Sequence, residues 1–125
     1  MTKIMAPSVV IVEDSLVEIM NIQNILAEAD IRVLGTAINT EQLFALIEKE
    51  SPDLILMDIN LGGGESGIDI AKLVAEQFAV PIVFTTSYCD DTTISNALKV
   101  SPYGYLVKPY GALSLTTTIL VALER

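Results

Sequence analysis

The feature that most constrains this chain is a recurrence of short apolar runs rich in β-branched residues, at Val9–Val12, Ile31–Ala37, Leu54–Met57, Ile82–Thr85 and Tyr103–Val107. All but Ile31–Ala37 are nearly continuous rather than alternating, the pattern of strands covered on both faces of a parallel sheet. Segments with helical spacing separate them. Ser15 with Glu18 makes a capping-box pattern ahead of Leu16, Ile19, Met20, Ile22, Ile25 and Leu26. Asn39 or Thr40 can cap a helix carrying Leu43, Phe44, Leu46 and Ile47, and Ser66 or Gly67 opens one with Ile68, Ile70, Ala71, Leu73 and Val74. Asp90 or Asp91 caps a weaker stretch with Ile94, Ala97 and Leu98, and the last helix runs from about Ala112 to Leu123.

Strands alternating with helices five times imply repeated right-handed crossovers, hence an α/β fold of three layers around a central, doubly wound parallel sheet. The order 2-1-3-4-5 suits a chain of 125 residues. Residues 8–125 are expected to form one domain, preceded by an N-terminal extension at residues 1–7. In such sheets ligands collect outside the carboxyl ends of the strands, near the switch point between strands one and three.

Composition removes several functions before any site is considered. The chain has no His, which excludes His-based acid/base catalysis, Ser-His-Asp hydrolysis and His-ligated zinc, so any metal must be held by oxygen. A formal net charge of −9 is the wrong sign for neutralising nucleic-acid phosphates or settling on an anionic membrane, so neither is an expected partner. The single Cys, Cys89, cannot form an internal disulfide, and no apolar run approaches the roughly 18 residues of a membrane span. Met1–Ser8 lacks the apolar core of a signal peptide, so the expected location is cytoplasmic.

Strand one runs into Glu13 and Asp14, strand three into Asp58, strand four into Thr85 and Thr86, and strand five into Lys108 and Pro109. Taken singly, each has a plain reading: a capping aspartate, a strand-end hydroxyl, a solvated lysine. Taken together, the fold gathers them at one edge. Two carboxylates about 4 Å apart repel by something like 4 kcal/mol at an effective dielectric near 20, a cost that a divalent cation removes. With oxygen ligands and a small site, Mg²⁺ is the natural ion. One metal and one ammonium beside a free carboxylate can place a phosphoryl group on that carboxylate, because both cations neutralise charge on the transferring oxygens. Asp58 is the candidate acceptor. Gly62, Gly63 and Gly64 lack the spacing of phosphate-binding loops and read as a flexible loop, while Glu48, Glu50 and Asp53 lie at the opposite edge and read as solvated charges.

The segments Val9–Ser15, Leu54–Asp69, Pro81–Tyr88 and Tyr103–Tyr110 together resemble the receiver domain of two-component response regulators, over about Ser8 to Glu124. That resemblance implies a flavodoxin-like, CheY-like sandwich that is not itself an enzyme but takes part in its own phosphorylation and slow autodephosphorylation. It implies phosphoryl transfer to Asp58 from a phosphohistidine on a sensor kinase or histidine phosphotransfer protein. Asp14 and Asp58 would hold Mg²⁺ directly, Glu13 through water, and the backbone carbonyl of Asn60 would be a further ligand. Thr86 matches the hydroxyl that bonds the phosphoryl oxygen, Tyr105 the aromatic that turns inward with it, and Lys108 the phosphate's ion pair. Lys108–Pro109 matches a bond that is cis in this family. The face formed by helix four, strand five and helix five would then change shape for an effector protein or attached output domain.

Two departures stand out. Tyr88, two residues past Thr86, is bulky and expected to screen an acyl phosphate from water. The last helix carries no charge between Ala112 and Leu123, unlike receivers that dimerise there through charged pairs, and it leaves an apolar, Thr-rich face at Leu113, Thr116, Thr117 and Leu120. Two alternatives have other chemistry. A Mg²⁺-dependent phosphohydrolase with an aspartyl-phosphate intermediate would want a second Asp two residues past Asp58, where this chain has Asn60. A flavin carrier would want a hydroxyl-rich loop after strand one, where Glu13 and Asp14 stand.

Overall fold

The computed structural model describes residues 6–125, so most of the expected N-terminal extension lies outside the described residues. Ten elements alternate along the chain: β1 (Ser8–Val12), α1 (Leu16–Glu28), β2 (Arg32–Ala37), α2 (Thr40–Glu50), β3 (Leu54–Asp58), α3 (Gly67–Gln77), β4 (Ile82–Thr86), α4 (Asp91–Leu98), β5 (Gly104–Val107) and α5 (Ala112–Glu124). The strands pair in parallel, as the alternation of elements requires, and they do so in the expected order β2-β1-β3-β4-β5.

The sheet divides the core in two. Val9, Ile11, Leu54, Leu56, Val83 and Leu106 meet Ile22 and Leu26 of α1 and Leu115, Ile119 and Ala122 of α5. Val10, Val12, Ile55, Met57 and Phe84 point the other way, against Leu43 and Ile47 of α2, Ile70, Ala71 and Val74 of α3, and Ala97 of α4. Successive strand residues serve opposite layers, which is why β1, β3 and β4 are buried at every position and read as continuous apolar runs. Truncating a side chain such as Phe84, which has no exposed surface, would cost about 3–5 kcal/mol.

The edge strands qualify the sequence reading. The looser pattern of Ile31–Ala37 belongs to β2, at one edge, where only Ala37 within the strand is buried. Tyr103–Val107 looks covered on both faces, yet β5 is the other edge: of its residues only Leu106 is buried, and Val107 is 40% exposed. Apolar continuity there reflects one covered face and an uncovered one.

The helix starts resolve the alternatives left by the sequence. Asn39, Ser66 and Asp90 are the N-caps of α2, α3 and α4, each accepting a hydrogen bond from a first-turn N–H. The capping box at α1 is only half formed. Ser15 Oγ accepts from the Glu18 N–H at 3.3 Å, but the Ser15 N–H donates to Glu13 Oε2 at 3.1 Å, leaving the Glu18 carboxylate free to face elsewhere. Asp53 is likewise more than a solvated charge, since its Oδ2 accepts from Ser8 N at 2.9 Å and Ser8 Oγ at 3.1 Å.

Candidate functional site

Strand register sets the site. Val12 is level with Met57 across β1 and β3, so Glu13 and Asp58 leave the sheet side by side. Asp58 pairs with Thr85, and Thr86 with Val107, which brings Lys108 to the same edge one residue later. Backbone bonds continue three of the four ladders past their ends: Glu13 N to Ala37 O at 3.1 Å, Ile59 N to Thr85 O at 2.9 Å and Lys108 N to Thr86 O at 2.7 Å. Gly67, at the start of α3, lies so close to the Asp58 backbone that any Cβ would collide with it. The loop after β3 must therefore fold tightly over the acceptor candidate.

Glu13 and Asp58 are nearly sealed from solvent, Asp14 is exposed, and carboxylate oxygens of all three come within 4.8 Å of one another. Lys108 Nζ lies between them, 3.1 Å from Glu13 Oε1 and 3.2 Å from Asp58 Oδ2, across a cis Lys108–Pro109 bond. Burial pushes the Glu13 carboxyl up to about 7; Ser15's N–H opposes the shift, the Asp58 charge adds to it, and Lys108 only partly offsets it. For Lys108 burial acts downward, but Asp58 and Glu13 outweigh it and the ammonium is held above its ordinary range. One ammonium does not balance this anionic cluster. An oxygen-only donor set of this size, still in excess negative charge, fits a small hard divalent cation.

The remaining candidates converge on the same edge, with partners the sequence did not announce. Thr86, fully buried, donates from Oγ1 to Asn60 Oδ1 at 2.8 Å and accepts there from Tyr88 N at 3.0 Å. Asn60 N donates to Asp58 Oδ1 at 3.0 Å. Tyr105 donates its hydroxyl to the Tyr88 carbonyl at 2.9 Å, while the Tyr88 side chain is 54% exposed. Gly62 N donates to Asp14 Oδ2 at 2.8 Å, so part of the glycine run serves the cluster after all. A Cβ there would stand 2.6 Å from that oxygen, so a larger residue would push the exposed Asp14 carboxylate aside. Glu18, released from its capping role, lies 3.8 Å from Lys108 Nζ. None of these contacts carries a residue-type signal beyond the glycine at position 62, since each depends on how loops from different strands meet.

The profile of the response regulator receiver domain matches residues 9–120. The chain belongs to this family. The receiver is 30% identical over 117 residues to the transcriptional regulatory protein PdtaR of Mycobacterium tuberculosis, covering 94% of this chain and 57% of that one. It is 29% identical over 120 residues to the phyllosphere-induced regulator PhyR of Methylorubrum extorquens, covering 95% and 44%. The chain thus spans about half the length of the curated relatives it matches. Among solved structures, the signal receiver domain of a modulated diguanylate cyclase from Desulfovibrio desulfuricans superposes with a TM-score of 0.86 at 34% identity, covering 95% of this chain and 94% of that one. The family places the receiver in two-component signalling. No helix among the described residues is long and apolar enough to cross a membrane.

Proposed function

We propose that residues 8–125 form a phosphoacceptor receiver in which Asp58 takes a phosphoryl group from a phosphohistidine on a sensor kinase or histidine phosphotransfer protein. The observation that carries this reading is Lys108, whose ammonium bridges Glu13 and Asp58 inside an excess of carboxylates. An Asp58 oxygen forms the new O–P bond as the donor's N–P bond breaks, and the leaving imidazole nitrogen keeps the electron pair and takes a proton from solvent. Lys108 is already within hydrogen-bond reach of the acceptor carboxylate and follows the charge onto the phosphoryl oxygens. Asp14, Asp58 and the Asn60 carbonyl would hold Mg²⁺, with Glu13 acting through water. Bound there, the ion would supply a second positive charge against the phosphoryl oxygens.

A phosphorylated Asp58 presents new acceptor oxygens that reward any state bringing Thr86 and Lys108 to them. Thr86 moves toward the phosphoryl group, Tyr105 turns inward, and the α4–β5–α5 face changes shape for an effector protein or attached output domain. The protein is a switch rather than an enzyme with turnover on a separate substrate. Intact mass after incubation with acetyl phosphate and Mg²⁺ tests the reading: one phosphoryl is gained by the wild type and none by Asp58→Asn. A gain that persists in the variant would move the acceptor elsewhere. Tyr88 beside the site slows loss of the phosphoryl group by screening it from water; an unchanged hydrolysis half-life in Tyr88→Ala would remove that role.

A further inference from the structure

We infer that the Asn60 carboxamide is a resting-state lock on Thr86, and that breaking the Asn60–Thr86 bond is a required step of switching. This rests on the reading of Thr86 as the hydroxyl that moves to the phosphoryl group. A threonine hydroxyl carries a single proton. In this structure that proton is committed to Asn60 Oδ1 over 2.8 Å, inside a site where Thr86 has no exposed surface. The two Asp58 oxygens meet other donors, Asn60 N at 3.0 Å and Lys108 Nζ at 3.2 Å. Thr86 can therefore donate to a phosphoryl oxygen only after leaving Asn60.

Asn60 touches both halves of the switch, the acceptor through its N–H and the hydroxyl through its side chain. The contact also reaches further. Thr86 Oγ1 holds the Tyr88 N–H at 3.0 Å, and the Tyr88 carbonyl holds the Tyr105 hydroxyl at 2.9 Å. Both bonds use the Tyr88 backbone, so a displaced Thr86 hydroxyl loosens the peptide that restrains Tyr105, whatever the side chain at position 88. Asn60 itself is exposed, so shortening its side chain opens no buried cavity and mainly releases the hydroxyl.

The test compares Asn60→Ala with the wild type in Thr86, Thr86→Ala and Thr86→Ser backgrounds. Without any phosphoryl donor, the Thr86 and Tyr105 NMR resonances of Asn60→Ala are expected to move, with a matching shift in the Thr86→Ser background and no added shift in Thr86→Ala. With acetyl phosphate and saturating Mg²⁺, the phosphorylation rate constant should rise roughly fivefold, the equivalent of one net hydrogen bond. Resting resonances that stay in place, or that move equally in the Thr86→Ala background, would overturn the lock, as would lowered stability without a resonance shift. Failure of the wild type to take up phosphoryl would instead count against the Asp58 reading, and the resting-state resonances would still decide the lock.

Discussion

The two edges of the sheet use the same residue types to opposite ends. At the carboxyl edge, Glu13 and Asp58 are buried side by side with Asp14 close by, and they share one ammonium. At the amino edge, Asp53 is exposed and accepts two hydrogen bonds from Ser8 that close the start of β1 onto the turn before β3. The amino edge also holds a groove of about 380 Å³ lined mainly by apolar residues, among them Ala71, Phe78, Pro81, Val100 and Tyr103, with Arg125 stacked 4.5 Å from the Tyr103 ring centroid. Asp53, held by Ser8, acts as a fastener, whereas Glu13 and Asp58 each keep a backbone donor of their own and must still share one ammonium. Carboxylates that must share a donor form a site, because their mutual repulsion is relieved only by a proton, a cation or a change of state.

That contrast is open to experiment. Lys108→Met should be the most damaging change, since it leaves buried carboxylates without their counter-ion: a loss of about 3 kcal/mol by denaturant unfolding of the metal-free protein at pH 8, and a drop in acetyl-phosphate-driven phosphorylation of about a hundredfold or more. An equal stability loss at pH 5, where Glu13 is protonated, would mean that charge is not the cause.

Acidity probes the same cluster without mutation. The folded-state pKa of Glu13 is raised from 4.5 to about 7, so its contribution to stability is complete below 4.5 and is lost as pH rises through about 7. The metal-free protein should lose roughly 2–3 kcal/mol from this group between pH 5 and 8. Added Mg²⁺ should restore it at the upper end, and Glu13→Gln should flatten the slope. A slope unchanged in Glu13→Gln would refute the assignment. At the other edge, Asp53→Ala should cost only about 1 kcal/mol, and magnesium uptake followed by titration should be the same as in the wild type. Weakened uptake would show the two edges to be coupled rather than separate.

Much of this was legible in the sequence. The five apolar runs and the turn chemistry between them fix the element order, and their alternation with helices makes the sheet parallel, so Glu13, Asp14, Asp58, Thr86 and Lys108 reach one edge whichever of the two common doubly wound orders is adopted; the packed sheet shows that order to be β2-β1-β3-β4-β5. Three of the caps at Asn39, Ser66 and Asp90 appeared as one of two neighbouring candidates, because local chemistry admits both and the loop's path selects one. Glu18 departs from the capping-box pattern for a related reason: that pattern is local, whereas Glu13, arriving from the end of β1, takes the Ser15 N–H that Glu18 would hold in a complete box.

What the sequence determined by itself is therefore the set of groups and the edge they share, since strand periodicity and crossover handedness act through near neighbours. Tertiary structure alone decided which donor meets which acceptor: Lys108 between Glu13 and Asp58, Thr86 on Asn60, and Gly62 on Asp14. Hydrogen bonds form or fail over tenths of an ångström, and those distances are set by packing between segments that lie 26 to 95 residues apart in the chain.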